Sequence, residues 1–261
     1  MKISVIIPVY NGEQYVAWCL DGMMRQTYGE LEVIVVDDGS TDSSLAIARD
    51  YEGRGVRIVE MGRNRGLSAA RNAGMEAATG EYIHFMDVDD AINDEFYQRL
   101  AEAVVATGAD VACCGMVNEP KPHRTLLFDE QRVLTTTDDK MRTTNVGQWS
   151  FVWRYLLRAE MLREHDLRFE EGRLVEDMAF SIPAVYFART LVVVPGAVYT
   201  YMLRPGSIMQ TRSRAHRRRR HRDHRHAKTM RHNFARSHGF RIPGVPTRLG
   251  PLSLFYVKWF T

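Results

Sequence analysis

The chain has 261 residues, 45% hydrophobic and 26% charged, enough for one large domain with a buried core plus an appendage. Cys19, Cys113 and Cys114 give no even disulfide framework, the N-terminal apolar run is too short for a signal peptide and is broken by Pro8, and no stretch approaches the roughly 18 apolar residues of a spanning helix. These features predict a reducing, cytoplasmic setting. The net charge of +3 conceals an asymmetry: between Arg212 and His238 stand eleven Lys/Arg, six of the nine histidines and one acid, Asp223, leaving 24 basic and 31 acidic residues elsewhere.

Lys2 to Tyr10 reads as a strand buried on both faces, and Asn11-Gly12 ends it. Tyr15 to Gln26 has helical spacing (Val16, Leu20, Met23, Met24). A second apolar run, Leu31 to Val36, stops at Asp37-Asp38-Gly39-Ser40. A helix from Ser43 to Tyr51 and a strand from Val56 to Glu60 follow. Alanine-rich Leu67 to Thr79 predicts a helix closed by Gly80. Glu81 to Met86 is a fourth strand, running into Asp87-Val88-Asp89-Asp90. A helix over 93–107 and a strand over 110–117 complete an alternation that predicts βαβ units and a doubly wound, mainly parallel sheet. From Glu119 to Asn145 the pattern weakens into a connector or a hairpin over the site. Gln148 to Arg163 is aromatic and helical in spacing, Glu176-Asp177 opens an apolar helix, and Thr190 to Met202 is one or two strands.

In doubly wound sheets ligands sit beyond the carboxyl ends of the strands. Three polar clusters fall there: Tyr10-Asn11-Gly12, Asp37 to Ser40, and Asp87 to Asp90. Carboxylates one residue apart at a strand end suit a hard cation such as Mg²⁺ or Mn²⁺, joined to substrate phosphates, and a ribose hydroxyl. The bland alternative for Asp87 to Asp90 is a solvated turn capping the next helix. A carboxylate in Asp37-Asp38 can accept the N3–H of a uracil, while Ser40 or Asp42 caps a helix. In Asn64-Arg65-Gly66-Leu67-Ser68-Ala69-Ala70-Arg71-Asn72 the small residues allow close packing, and Arg71 and Asn72 can face a base or phosphate. Asp177 is either a general base toward an acceptor hydroxyl or a first-turn acid favoured by the helix dipole. There is no phosphate loop, dinucleotide glycine fingerprint, paired Cys-x-x-Cys or nucleophile elbow.

Together Val5 to Asn11, Val35 to Asp42, Asn64 to Asn72, Gly80 to Ile83, Asp87 to Asp90 and Glu176-Asp177 resemble the family 2 glycosyltransferases, inverting enzymes of the GT-A fold, in their bacterial surface-polysaccharide form. The match runs over about residues 1 to 210 and includes Arg204-Pro205-Gly206-Ser207-Ile208. The resemblance implies an α/β GT-A domain with a C-terminal helical, basic extension. Residues 1–118 would form the nucleotide-sugar half, 119–210 the acceptor and catalytic-base half, and 211–261 the extension. It implies Asp177 as catalytic base, Asp89 with Asp87 at a Mg²⁺ or Mn²⁺ ion, and Pro8, Tyr10, Asn11, Asp38, Asn64, Arg71, Asp87 and Val88 around the nucleotide-sugar. The donor would be a UDP-sugar and the acceptor a glycan or lipid-linked saccharide. A nucleotidyltransferase is disfavoured, since Pro8 to Gly12 replaces the glycine-rich basic loop such enzymes carry; a catalytically silent relative is the remaining alternative. The Arg/His run and Phe255, Tyr256, Trp259 and Phe260 suggest peripheral contact of 212–261 with an anionic membrane at its inner face. Nucleic acid is not expected, because the run lacks interleaved aromatics.

Overall fold

The computed structural model describes residues 1–202 and 213–245. Its nine-stranded sheet starts from β1 (Ile3–Val9), whose every residue is buried because helices cover both faces. β2 (Leu31–Asp37) and β4 (Tyr82–Phe85) pair with β1 in parallel, and β3 (Val56–Glu60) pairs with β2. β6 (Val111–Asn118) and β9 (Leu191–Tyr201) extend the sheet in parallel, joined to β4 through the antiparallel β8 (Tyr155–Arg158). The order is β3-β2-β1-β4-β8-β6-β9, with β5 (Ala91–Ile92) and β7 (Arg132–Leu134) antiparallel on β9.

Strand alternation sorts the core into two layers. Ile3, Val5, Ile7, Val33 and Val35 pack with α1 (Glu13–Met24), α2 (Ser44–Arg49) and α4 (Phe96–Thr107). Ile6, Ile34, Val36, Ile83 and Phe85 face α3 (Leu67–Ala77), α5 (Thr137–Thr144), α6 (Ala159–Glu164) and α7 (Asp177–Phe187). All three cysteines are buried. His84 is also fully buried, and burial holds its imidazole down at about 4 while Tyr97 and the Trp153 carbonyl occupy its two nitrogens.

Two expectations change, and the helical extension is located. Gln148 to Arg163 is not a helix: it holds a short turn (Val152–Arg154), strand β8 and helix α6. The strand segment Tyr155-Leu156-Leu157 is buried on both faces, and a short apolar run of that kind has no period that separates strand from helix. Gly80 does not close α3, which ends at the extended Ala78. It lies beside β1 instead, where its N–H donates to Ser4 Oγ at 2.8 Å and a Cβ would stand 2.7 Å from the Ser4 nitrogen. The Arg/His run forms α8 (Arg214–Ser237), capped by Ser213 and packed on α7 through Ala227, Ala235 and Phe234. The segment 204–208 and the aromatic residues 255–260 lie outside the described residues.

Candidate active site

From β1 the chain steps outward to β2 and β3, then returns to place β4 on the other side of β1. The reversal leaves a crevice at the carboxyl ends of β1 and β4, the usual ligand site of such a sheet. Pro8 marks the spot, since it has no N–H to continue the ladder past the last β1–β4 pair, Ile6 with Phe85. Beyond it Tyr10 is exposed, Asn11 turns with φ 49°, and a Cβ on Gly12 would touch Val88 at 3.5 Å. Two of the three polar clusters, Tyr10-Asn11-Gly12 and Asp87 to Asp90, therefore share one rim.

On the β2 side, the Asp37 carboxylate accepts the N–H groups of Gly39 and Ser40, closing the turn. Asp38 is buried and accepts from the backbone of Arg65 at 2.7 Å and Gly66 at 2.8 Å. The loop carrying Asn64 crosses so closely that a Cβ on Gly39 (φ 72°) would lie 2.5 Å from the Arg63 backbone. Asn64 is exposed on that loop. The Asn11 side chain accepts from the Thr41 N–H at 2.8 Å, so part of its hydrogen-bonding capacity shapes the rim. Asp42 accepts the first N–H of α1 and that of Ser44 in α2, performing the predicted capping.

Arg71 projects from α3 into the centre and is almost wholly buried. Its Nη1 donates to Glu176 and to Asp177, each at 2.7 Å, and its Nη2 to Asp87 at 3.0 Å. Close approach of α3 allows this: Gly74, one turn on, lies where a Cβ would be 2.3 Å from Ile6 Cγ2. Burial works against the guanidinium charge, and Asp177, Asp87 and Glu176 more than offset it, so its pKa is raised. Asp177 opens α7 and keeps 19% of its side chain exposed. Burial pushes its carboxyl up to about 7; Arg71 opposes the shift, while Glu176 and Asp87 add to it. The backbone N–H of Val152 donates to its Oδ2 at 3.3 Å. Just before it, Val175 has φ 75°, a left-handed conformation that costs a β-branched residue on the order of 1–3 kcal/mol. Asn72 does not face a ligand: its amide exchanges two hydrogen bonds of 2.9 Å with the backbone of Phe169.

Asp87, Val88 and Asp89 are partly exposed, whereas Asp90 is buried. Asp90 is not a helix cap: α4 begins after Glu95, and Asp90 accepts from Tyr199 Oη at 2.9 Å and from the Met202 N–H at 2.8 Å. Burial, then the charges of Asp87 and Asp89, raise its pKa well above the ordinary range. Burial and the charges of Asp90, Asp89 and Asp87 likewise push the Tyr201 phenol up to about 12. The strand end is thus a concentrated negative field built from hard oxygen donors. Among the described residues no three His, Cys, Asp or Glu side chains cluster as a self-sufficient metal site. That donor set fits a divalent cation completed by phosphate oxygens.

Residues 4–159 match glycosyl transferase family 2. The chain belongs to that family. It is 36% identical over 216 residues to the uncharacterized glycosyltransferase EpsJ of Bacillus subtilis, covering 80% of this chain and 63% of EpsJ. It is 29% identical over 218 residues to the poly(ribitol-phosphate) beta-N-acetylglucosaminyltransferase TarS of Staphylococcus aureus, covering 77% of this chain and 35% of TarS. The structure of TarS residues 1–349 with UDP-GlcNAc superposes with a TM-score of 0.72 at 25% identity, covering 96% of this chain and 77% of that one. A mannosyltransferase of Pyrobaculum calidifontis, solved with GDP-Man and Mn²⁺, shares the fold at 20% identity and a TM-score of 0.61, over 87% of this chain and 63% of that one. The fold is GT-A. The chain spans less than two thirds of the length of EpsJ and about a third of that of GlyA of Streptococcus pneumoniae.

Sequence reasoning missed the aromatic stack beside Asp177. Phe151 lies on Trp153 (4.9 Å between centroids), and Trp153 on Tyr199 (4.1 Å), with Tyr201 parallel to both Phe151 and Trp153. The one available signal was the aromatic density of 149–155. Its meaning depends on β8 and β9 being brought together through β6, which no local pattern reveals.

Proposed function

We propose that this chain is a metal-dependent, inverting glycosyltransferase that moves a sugar from a UDP-sugar to a hydroxyl of a glycan or lipid-linked acceptor. The product would belong to cell-surface polysaccharide (lipopolysaccharide, capsule or exopolysaccharide). One observation carries the reading: Arg71 gathers Asp87, Glu176 and Asp177 at the crevice between β1 and β4, with the Asp177 carboxyl raised to about 7. A carboxylate tuned to that range accepts a hydroxyl proton more readily than one of ordinary acidity. The names of relatives, which act in polysaccharide synthesis, and the UDP complex of TarS support the class of donor and product.

In this reading residues 1–118 hold the donor and 119–210 present the acceptor and the base. Asp38, its carboxylate aimed by two backbone N–H groups, accepts the uracil N3–H through a remaining lone pair. Pro8, Tyr10, Asn11, Asn64 and Val88 line the nucleotide-sugar, while Arg71 orients Asp87 toward the ribose. Asp89, with Asp87, would hold Mg²⁺ or Mn²⁺, which would offset charge on the diphosphate leaving group. Asp177 takes the acceptor proton as the hydroxyl attacks the anomeric carbon from the face opposite the diphosphate. An α-linked donor then yields a β-glycoside. The test is UDP release across a panel of UDP-sugars and saccharide acceptors, with and without Mg²⁺ or Mn²⁺. Acceptor- and metal-stimulated UDP release is expected; pyrophosphate as product, or nucleotide binding without turnover on any donor, would sink the reading.

We extend the proposal to the inner face of a membrane. Among the described residues no helix is long and apolar enough to cross one. The outer face of α8 presents Arg214, Arg217, Arg218, His221, Arg222 and Arg225 along one open side. Anionic lipid headgroups would be attracted by the cations of that outer side. Sedimentation with vesicles should need anionic lipid and weaken with salt; equal recovery with neutral vesicles would refute the contact.

A further inference from the structure

Asp223 is the single acid of the segment between Arg212 and His238, and it does not face solvent. From the buried side of α8 its carboxylate accepts the Leu174 N–H at 3.2 Å and Arg173 Nη1 at 3.4 Å. Arg222 and Arg219 of the same helix stand beside it at 3.4 and 3.7 Å. Arg219 also donates to the Gly172 carbonyl at 3.1 Å, and His226 meets Glu170 at 2.7 Å. Every one of these loop contacts falls in Glu170 to Leu174, immediately ahead of Asp177. The far side of the segment is held by α3 and its approach, where Asn72 brackets Phe169 and Arg65 pairs with Glu171 at 3.2 Å. Two residues of the stretch are left-handed, Gly172 within the clamped segment and Val175 between it and the base, both at φ 75°. A valine keeps that conformation only where its surroundings over-determine it. The Leu174 N–H bond, one residue upstream, supplies such a restraint.

We infer that Asp223 is a positioning residue: through Leu174 and Arg173 it fixes the loop that delivers Asp177 to Arg71 and the reaction centre. This rests on the reading of Asp177 as the base. It makes α8 part of the catalytic apparatus through its inner face, independently of what its outer face binds. Burial opposes the Asp223 charge, yet the Leu174 N–H and the Arg222 and Arg173 guanidiniums hold its pKa below the usual range, so the restraint is a charged one.

The test uses the full chain and compares Asp223→Ala, Asp223→Asn and Arg173→Gln with the parent. The readouts are kcat and donor KM for UDP release, UDP affinity by calorimetry, and hydrogen exchange of the segment 170–178. Small misplacement of a reacting group is expensive, so Asp223→Ala should lower kcat about tenfold to a hundredfold. Donor KM and UDP affinity should stay within about twofold, since the donor half is untouched. The Leu174 amide should exchange faster. Asp223→Asn, which still offers an oxygen to Leu174 but no charge to Arg173 and Arg222, should recover only part of the lost kcat. A folded Asp223→Ala with parental kcat would overturn the inference, as would kcat and UDP affinity falling together, which marks a merely structural role. If Asp223→Ala does not fold, Arg173→Gln carries the test: the same split in smaller measure supports the role, and an unchanged kcat overturns it. Asp177→Asn, run alongside, separates the two readings. Full activity there removes the base assignment, whereas loss of activity there with full activity in Asp223→Ala removes only the positioning role.

Discussion

Arg71 and Asp177 meet at 2.7 Å beneath the ends of the central strands, and the same guanidinium nitrogen reaches Glu176. A residue from α3 is thereby tied to the first turn of α7, 106 positions away in sequence. Its second nitrogen holds Asp87 after β4. The three carboxylates share one cation, and the charges of Glu176 and Asp87 act on the titration of Asp177.

That sharing sets the pH dependence. Asp177 serves as a base only when ionised, and its carboxyl is raised to about 7. The rate should therefore fall by about tenfold per unit on the acid side of that value. Glu176 is one of the charges holding the pKa up, so Glu176→Gln should lower it and move the acid limb to lower pH. Profiles of kcat/KM against pH for the two proteins check the sign; a limb moving to higher pH would contradict it.

Asp177→Asn keeps the shape and removes the base. Transfer should fall by roughly 10²- to 10⁴-fold, with UDP affinity nearly intact. Kinetics and calorimetry on one preparation separate the two effects, and retained turnover would reassign the base.

Arg71→Met removes the cation from beneath three carboxylates. Breaking a buried pair from one side costs about 3–5 kcal/mol, so the variant should unfold at clearly lower denaturant. Parental stability would mean that water already shares the charge of these acids.

Asp89→Ala should weaken metal-dependent UDP binding at least about tenfold, the scale expected for disturbing a metal site. UDP binding measured in chelator should be nearly the same in parent and variant. An unchanged affinity in the presence of Mg²⁺ or Mn²⁺ takes Asp89 out of the metal site.

Gly74→Ala tests the packing that brings α3 to the sheet. The added carbon would stand 2.3 Å from Ile6 Cγ2, and overpacking of this kind costs about 1–3 kcal/mol. Denaturant unfolding reads the loss, and a neutral substitution would show that Ile6 can swing aside.

The strands and helices through residue 118 were legible because short apolar runs bounded by turn residues alternate with segments of helical spacing, and the three polar clusters were legible because turns follow strands. What could not be read was pairing across distance. Arg71 looked like a ligand contact, since nothing in Ala70-Arg71-Asn72 announces that Glu176 and Phe169 will lie beside it. Asp90 looked like a cap for the neighbouring helix, yet Tyr199 takes it from the far end of the sheet. Asp223 stood in the sequence only as the one acid of a basic run, and its meaning arises once α8 lies on the loop before α7. Gly80 looked like a helix terminator because the close approach that requires it comes from β1, 76 residues earlier.

Cys19, Cys113 and Cys114 all sit inside the sheet and its covering helices, and burial pushes the Cys113 thiol up. Thiolates are the species that react with maleimides and oxidants, so the native protein should present a silent background to such reagents. A lone cysteine introduced on the outer side of α8 would then take a fluorophore or spin label at that place alone. Lipid approach and loop motion could each be followed from a single reporter, without first stripping the chain of its own sulfur.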